Sequence, residues 1–245
     1  MDRKLSGFGD KYKDLISDRK KETLKLWKKT YKNYIMLDLE IRKREKIIFG
    51  GVCKYLEKFL PENVEIIVDV AAGYCEFINN IQCNCKKIAI DINPDIKKYA
   101  GKDIKIFVDH ILNMSKYLEE NSVSIFFMSN FLEHISKEDI DSLLELEHKL
   151  LTKKGEIWIL TPNIRYVGEK YWDFYDHITP ITEKALIEVA SVHGFYVKKC
   201  ISKFLPFTTK SKLPQAAWIV KLYLLLMPFS GNVFGEQSFL ILKKM

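Results

Sequence analysis

The stretch IIVDVAAGYCEF, residues 66–77, decides the fold class. Its first five residues are apolar apart from Asp69, as in a strand that is buried on both faces. Small residues follow at once, with Gly73 as the only glycine. In an open parallel sheet, ligands bind beyond the carboxyl end of such a strand, where a tight turn leads into a helix. The stretch therefore predicts a strand, a turn and a helix beside a ligand site.

The chain beyond this stretch alternates strands and helices. The apolar patterns predict strands at 66–70, 87–91, 104–108, 123–128, 156–160, 195–202 and 238–243. Amphipathic patterns predict helices at 137–151 and 182–193. This alternation requires right-handed crossovers, so we expect a doubly wound, Rossmann-like α/β sheet. Residues 1–60 read as an N-terminal helical arm, and residues 61–245 as the main domain.

Length and composition indicate one soluble α/β domain. The chain has 245 residues, of which 47% are hydrophobic and 13% aromatic, and this excludes a disordered chain. Five scattered cysteines are typical of reduced thiols, so we expect a cytoplasmic protein. The start has no apolar signal segment, and the longest apolar run, 216–229, is too short to span a membrane.

Positive charge is concentrated at both ends of the chain. The formal net charge is +7, and the excess lies mostly in the first 48 residues and in 189–235, which contains no acid before Glu236. Such regions suit an anionic partner, which is a phosphate, a nucleic acid or a membrane surface. The alternative is a lysine-rich face that is simply solvated.

Acidic residues end the second and third predicted strands. Asp91 follows the loop by roughly twenty residues, where a carboxylate accepts hydrogen bonds from both hydroxyls of a ribose. The alternative for Asp91 is an Asx-type turn leading into Asn93. Asp109 is suited to bind the amino group of an adenine. The fourth strand runs into FFMSNFLEHIS, residues 126–136, which brings to the same edge Ser129, Asn130, Glu133 and His134.

Together these features resemble class I S-adenosylmethionine-dependent methyltransferases. That family has a small-residue loop after the first strand, acids after the second and third, and an Asn-x-Leu-Glu-His-like run after the fourth. A Leu-x-x-x-Gly turn commonly introduces its fifth strand, here Leu151 to Gly155. The resemblance covers about Val64 to Lys244 and implies a seven-stranded, mostly parallel sheet with the last strand reversed.

The resemblance implies S-adenosylmethionine as the cofactor. It assigns cofactor binding to Asp69, Ala71, Gly73, Cys75, Asp91, Ile92, Asp109, His110 and Asn130. His110 has no partner cluster, and its own pattern favours a structural role. The family usually shows glycine at the positions of Ala71, Gly73 and Cys75. Alanine suffices where φ is negative, so we expect Gly73 to be the residue with a left-handed backbone or the closest contact. A dinucleotide loop fits less well, because Glu76 falls where its last glycine belongs.

The segment TPNIRYVGEKYWDFYDHITPIT, residues 161–182, follows the fifth strand and predicts an acceptor-side insertion at about 162–181. Aromatic rings beside polar groups suit sugars. With FLPFTTKSKLPQ, residues 204–215, it resembles bacterial methyltransferases associated with surface-polysaccharide or lipid-linked glycan synthesis. The resemblance implies O-methylation of a sugar or glycan-related small molecule, phosphorylated or lipid-linked forms included. Candidate substrate-binding residues are Asn163, Arg165, Tyr166, Trp172 and Tyr175.

Two histidines are candidates for the base that a hydroxyl acceptor needs. His177 with Asp176 beside it is the first candidate, because imidazole takes a proton near neutrality. His134 is the second. The alternatives are that His177 stacks among the tyrosines or caps a helix, and that His134 packs beneath the cofactor. No metal site is predicted, since Cys83 and Cys85 lack a second pair at zinc spacing.

The sequence leaves alternatives for the role of an apolar segment, for enzyme activity and for the acceptor. The apolar segment at about 205–235 suits a core or homodimer helix, or an interfacial helix that meets a lipid-linked substrate at the inner membrane face. A non-catalytic cofactor-binding regulatory module is the alternative to an enzyme, and a non-sugar small molecule is the alternative acceptor. Nucleic acid is a weaker alternative, because the basic arm carries no base-reading motif.

Overall fold

The structure is a computed structural model that describes residues 32–207 and 216–245, with side chains from residue 43 onward. The described chain divides between Arg44 and Glu45 into two compact units. The predicted helical arm is described only from Lys32, where a helix, α1, runs to Leu56. The remainder of that prediction, residues 1–31, lies outside the described residues.

The second unit is built on a seven-stranded sheet with the order β3-β2-β1-β4-β5-β7-β6. Strands β1 to β5 are parallel, and β7 is antiparallel to both β5 and β6. The strands are β1 Ile66–Val70, β2 Lys86–Asp91, β3 Ile104–Val108, β4 Val123–Ser129, β5 Leu151–Pro162, β6 Phe195–Ile201 and β7 Gln237–Lys244. The predicted doubly wound sheet with a reversed last strand is therefore confirmed.

Helices and short 3-10 turns connect the strands. The helices after α1 are α2 Glu76–Asn80, α3 Lys137–Leu150, α4 Ile164–Val167, α5 Glu183–Val192, α6 Ala217–Leu225 and α7 Phe229–Phe234. Polar caps start three of them, and Asn163 is the cap of α4. Ser136 Oγ accepts from the Asp139 N–H at 3.1 Å, and Thr182 Oγ1 accepts from the Ala185 N–H at 3.1 Å. These caps satisfy N–H groups that have no partner within the helix, and they fix where α3 and α5 begin.

The core has two layers, one on each face of the sheet. Successive residues of a strand point to opposite faces, so Phe126 packs in one layer and Phe127 in the other. Both rings are fully buried. Helices α3 and α5 cover the first face, and the end of α1 with α2 covers the second. The central strands are buried on both faces, which explains their continuous apolar runs.

The start of β5 differs from the prediction. We predicted a turn at 151–155 and a strand from Glu156, but the strand begins at Leu151. Val123 pairs with Leu151 while Ile125 pairs with Glu156, so the extra residues form an irregularity within the strand. A Cβ at Gly155 would lie 2.7 Å from Leu151 Cδ2, which explains the glycine by close approach.

The predicted apolar helix is split in two. Helix α6 ends at Leu225, the Met227–Pro228 peptide is cis, and α7 follows. Leu224 packs in the core, whereas Trp218 and Phe229 are exposed. In the described part of the chain, no helix has both the length and the apolar character that a membrane span needs.

Glu147 on α3 is fully buried, and neither of its carboxyl oxygens has a hydrogen-bond partner among the described residues. Burial raises the pKa of this carboxyl well above 4.5. The folded protein therefore holds a proton that the unfolded chain releases above about pH 4.5. Because the pKa is raised in the folded state, stability is lost as the pH rises from there toward the folded pKa, by about 1.4 kcal/mol per pH unit.

We predict that Glu147→Met removes this pH dependence, because methionine fills a similar volume without a charge. The free energy of unfolding of the variant should exceed that of the wild type by about 2 kcal/mol or more at pH 8, and the difference should shrink toward pH 5. Urea unfolding between pH 5 and 8 measures it. Glu145→Met, at an exposed position of the same helix, is the control. Parallel pH profiles of wild type and Glu147→Met would contradict the prediction.

Candidate functional site

The loop after β1 has an unusual backbone. Ala71, Gly73 and Cys75 all have left-handed φ angles, of 54°, 50° and 59°. The left-handed backbone predicted for Gly73 is confirmed, and a Cβ there would meet nothing within 4 Å. The expectation that alanine would occupy only a negative-φ position is wrong. The loop thus follows a glycine-type path at two positions that alanine and cysteine occupy, which costs conformational energy at each.

Hydrogen bonds hold the loop against β2. The Ala72 N–H donates to the Ile90 carbonyl at 3.2 Å, and the Gly73 N–H donates to Asp91 Oδ2 at 2.8 Å. The other oxygen of Asp91 accepts from the Asn93 N–H at 2.7 Å, which is the Asx-type turn considered above. Asp91 therefore fixes both loops, and each oxygen keeps a lone pair for a ligand. Ile92 beside it is exposed.

A cavity of about 210 Å³ opens beyond the end of β1. It brings together four of the predicted cofactor residues, Asp69, Ala71, Gly73 and Asn130. The described residues that line it include three acids, Glu45, Asp69 and Glu76, and neither a lysine nor an arginine. The cavity therefore favours a cationic ligand over an anionic one.

Asp69 is the buried acid of this cavity. Its side chain is 3% exposed, and Oδ2 accepts from the Ile78 N–H at 3.3 Å. Burial raises the pKa of Asp69 to about 8, and the Asp91 carboxylate adds to the shift. A cation in the cavity would favour the ionised form of Asp69.

Aromatic rings form a wall of the cavity. Phe77 of α2 and Phe127 of β4 are stacked, with centroids 3.6 Å apart and ring planes 11° apart. Glu45 and Phe49 of α1 complete the lining and were not predicted. Their spacing of four puts them on one face of the helix, which is the signal in the sequence that could have paired them.

Asp109 does not line this cavity, and its carboxylate accepts hydrogen bonds from residues that follow it in the chain. Its carboxylate accepts from the His110 N–H, from Asn113 Nδ2 and from the Tyr117 hydroxyl, each at 2.7 Å. These hydrogen bonds, that of Tyr117 first, lower the pKa of Asp109. His110 Nδ1 accepts from the Leu112 N–H at 3.3 Å, in agreement with the structural role that the sequence pattern favours. A contact of Asp109 or His110 with the cofactor stays a prediction.

The residues after β4 join a distant segment. Asn130 has a left-handed φ of 49°, which asparagine tolerates better than most residues. Glu133 is 1% exposed, and its main-chain carbonyl accepts from the N–H groups of Ile178 and Thr179 at 2.9 and 3.1 Å. Glu133 Oε2 accepts from the Thr161 hydroxyl at 3.1 Å, whereas Oε1 has no hydrogen-bond partner within the described chain. Burial raises the pKa of Glu133, and His134 opposes the shift.

The two candidate histidines lie together, with ring centroids 4.9 Å apart. The predicted pairing of Asp176 with His177 needs correction, because Asp176 Oδ2 lies 3.3 Å from His134 Nδ1. His177 is buried against the rings of Phe174 and Tyr171, as the stacking alternative expects. Burial lowers the pKa of His177, and His134 lowers it further. His177 Nδ1 has no hydrogen-bond partner among the residues described.

The candidate acceptor residues fall in three different environments. Asn163 is fully buried, and its amide donates to Glu183 at 2.5 Å and to Ser238 at 2.8 Å, so its polar groups bind within the protein. A separate cavity of about 460 Å³ is lined by Arg165 and Tyr166, together with Lys203 and Glu236. Trp172 and Tyr175 are exposed, the latter fully.

Comparison with known proteins identifies the fold. No protein-family model matches the sequence, and no curated protein matches it. A SAM-dependent methyltransferase from Archaeoglobus fulgidus is 20% identical, with a TM-score of 0.60, over 86% of this chain and 99% of that one. A possible histamine N-methyltransferase from Thermotoga maritima is 13% identical, with a TM-score of 0.61, over 86% and 96%.

A third similar structure contains a product of the cofactor. It is the 1,6-didemethyltoxoflavin-N1-methyltransferase of Burkholderia thailandensis with bound 1,6-didemethyltoxoflavin and S-adenosylhomocysteine. It is 12% identical, with a TM-score of 0.53, over 91% of this chain and 89% of that one. At these identities the likeness concerns the fold. The chain has the class I fold of S-adenosylmethionine-dependent methyltransferases.

The left-handed loop generates a stability prediction. Ala71→Gly should stabilise the protein by about 0.5–1 kcal/mol, because glycine adopts a left-handed φ without strain and only part of the gain is lost to unfolded-chain entropy. The control is Ala72→Gly, whose φ is not left-handed and which should destabilise by about 0.5–1 kcal/mol. Urea unfolding of the two variants measures the difference. Destabilisation by Ala71→Gly would mean that the backbone at Ala71 is not strained.

Proposed function

We propose that the protein is an S-adenosylmethionine-dependent methyltransferase. The observation that carries the proposal is the charge of the cavity at the end of β1, whose described lining has three acids and no basic residue. S-adenosylmethionine carries a sulfonium cation, an ammonium cation, one carboxylate and no phosphate, so its net charge is positive and this lining attracts it. A dinucleotide carries two phosphates, which the same carboxylates would repel.

The residues around the cavity fit the parts of this cofactor. Asp69 and the backbone of the left-handed loop suit its methionine end, and the free lone pairs of Asp91 suit its ribose hydroxyls. The stacked Phe77 and Phe127 exclude water from one wall. When bound, the cofactor supplies an electrophilic methyl group on sulfur. The protein must hold the acceptor atom in line with that methyl group.

We further propose that the acceptor is a hydroxyl of a sugar or glycan-related molecule. Support comes from the exposed rings of Trp172, Phe174 and Tyr175, which follow β5 at the carboxyl edge of the sheet. Exposed rings provide flat apolar faces on which a sugar can pack. Glu133, His134 and His177 lie together in this region, and each has a side-chain atom that can accept a proton.

The cofactor assignment predicts a ligand preference. Calorimetry should detect binding of S-adenosylmethionine and S-adenosylhomocysteine and no binding of NAD. Asp91→Ala should weaken S-adenosylhomocysteine binding by about 10- to 100-fold, since a charged acceptor is lost from the ribose and from the loop. Asp95→Ala is the control, because Asp95 is half exposed and pairs with Lys98. Binding of NAD alone, or unchanged affinity in Asp91→Ala, would overturn the assignment.

The proposed acceptor predicts that loss of the exposed rings weakens acceptor binding and leaves cofactor binding unchanged. With sugar nucleotides and lipid-linked sugars as a panel, Trp172→Ala and Tyr175→Ala should raise the acceptor KM by about tenfold, because each removes a stacking face. The affinity for S-adenosylhomocysteine should stay the same. Tyr196→Ala removes an exposed ring from β6 and serves as the control. An unchanged acceptor KM in both variants would show that Trp172 and Tyr175 do not bind the acceptor.

A further inference from the structure

We propose that Glu133, His134 and His177 bind a divalent transition-metal ion. Each of the three offers one ligand atom, and these atoms all lie within 4.8 Å of one another. No metal site is predicted from the sequence, because its cysteines lack zinc spacing and these three ligands come from two distant segments. The site lies at the carboxyl edge of the sheet, after β4.

Two of the three residues each carry a buried side-chain atom without a hydrogen-bond partner. Glu133 is 1% exposed and His177 is 7% exposed. Glu133 Oε1 and His177 Nδ1 have no hydrogen-bond partner among the described residues. A polar atom removed from water without a partner is unfavourable, and folded proteins seldom keep two of them together. A metal ion between the two atoms would satisfy both.

His134 is oriented as a third ligand. Its Nδ1 lies 3.1 Å from the Asp176 carbonyl and 3.3 Å from the Asp176 carboxylate. Metal-bound histidines commonly donate their other ring N–H to such a group, which fixes the ring and its tautomer. His134 Nε2 is then directed to the cluster and lies 3.9 Å from Glu133 Oε1. Two ligands of one tetrahedral ion are about 3.3 Å apart, so a small closure suffices.

Hydrogen bonds hold the two ligand-bearing segments together. Besides the two main-chain bonds to the Glu133 carbonyl, Thr179 Oγ1 donates to the Ile135 carbonyl at 2.6 Å. The hydroxyl of Tyr171 donates to the Thr179 carbonyl at 2.5 Å. The Thr161 hydroxyl holds Glu133 Oε2, which leaves Oε1 for the ion. The ligands are therefore positioned by a surrounding shell, as a metal site requires.

The ligand set indicates the kind of ion. Two imidazoles and one carboxylate suit Zn²⁺, Fe²⁺, Mn²⁺ or Co²⁺, whereas Mg²⁺ prefers oxygen ligands and water. Three protein ligands leave coordination positions open for water or an acceptor oxygen. The metal site does not rest on the proposed methyl transfer, because binding of the ion requires no cofactor.

The test is a Co²⁺ titration of the full chain, freed of metal by a chelator and without S-adenosylmethionine. We expect visible d–d absorption that saturates at one ion per chain and is displaced by Zn²⁺. Glu133→Gln and His177→Asn should each weaken Co²⁺ binding by about 100-fold or more, and Asp176→Asn by about tenfold. His193→Asn is the control, because His193 pairs with Asp141 at 2.9 Å on the surface.

A second measurement on the wild-type chain does not depend on folded variants. Zn²⁺ should protect His134 from acylation by diethyl pyrocarbonate, as read by mass spectrometry, and a chelator should restore its reactivity. The exposed His110 should stay reactive throughout. Protection of His134 supports the site even where a variant fails to fold.

Three outcomes would overturn the proposal. They are the absence of a saturable Co²⁺ band, a band that survives in both folded variants, and a band that disappears in Cys83→Ser/Cys85→Ser, which would make the cysteines the ligands. Unprotected His134 in excess Zn²⁺ would overturn it equally. S-adenosylhomocysteine affinity is measured separately, so failure of the metal site and failure of the cofactor assignment are distinguishable.

Discussion

The position of β1 between β2 and β4 decides where the site lies. Both neighbours are parallel to β1, so all three carboxyl ends meet at one edge of the sheet. The chain leaves β1 toward β2 on one side, while β4 lies on the other, which opens a crevice at this point. Asp69 is the penultimate residue of β1, Asp91 ends β2, and Asn130 directly follows β4. Their proximity is a consequence of strand order rather than of any contact between them.

The loop that fills this crevice keeps its path under strain. Its left-handed residues Ala71 and Cys75 would be relaxed as glycines. Tertiary contacts offset the strain, since Asp91 and Ile90 accept hydrogen bonds from the loop and the Cys75 side chain is completely buried in the core. The cysteine therefore contributes apolar burial that glycine would not. The loop therefore holds a left-handed path with alanine and cysteine at two of its positions.

Two buried glutamates differ in whether both oxygens of the carboxylate have hydrogen-bond partners within the protein. Glu156 in β5 is satisfied by Lys198 at 2.6 Å and by the indole N–H of Trp158 at 3.0 Å, as a structural carboxylate should be. Glu133 is equally buried, yet one of its oxygens is unpartnered and lies beside a histidine in the same state. Two buried residues with unsatisfied polar atoms in one cluster at a sheet edge are a feature that packing alone does not explain.

The sequence by itself determined the sheet, its parallel strands and the acids at the strand ends, because these depend on local periodicity and on the direction of each strand. Only the tertiary structure decided the φ angles of Ala71 and Cys75, in a loop whose Ala72 and Gly73 N–H groups donate to β2. It also decided that Asp176 contacts His134 and that Asn163 is fully buried. These outcomes depend on contacts between segments far apart in the chain, and a pattern within one segment carries no information about its partner.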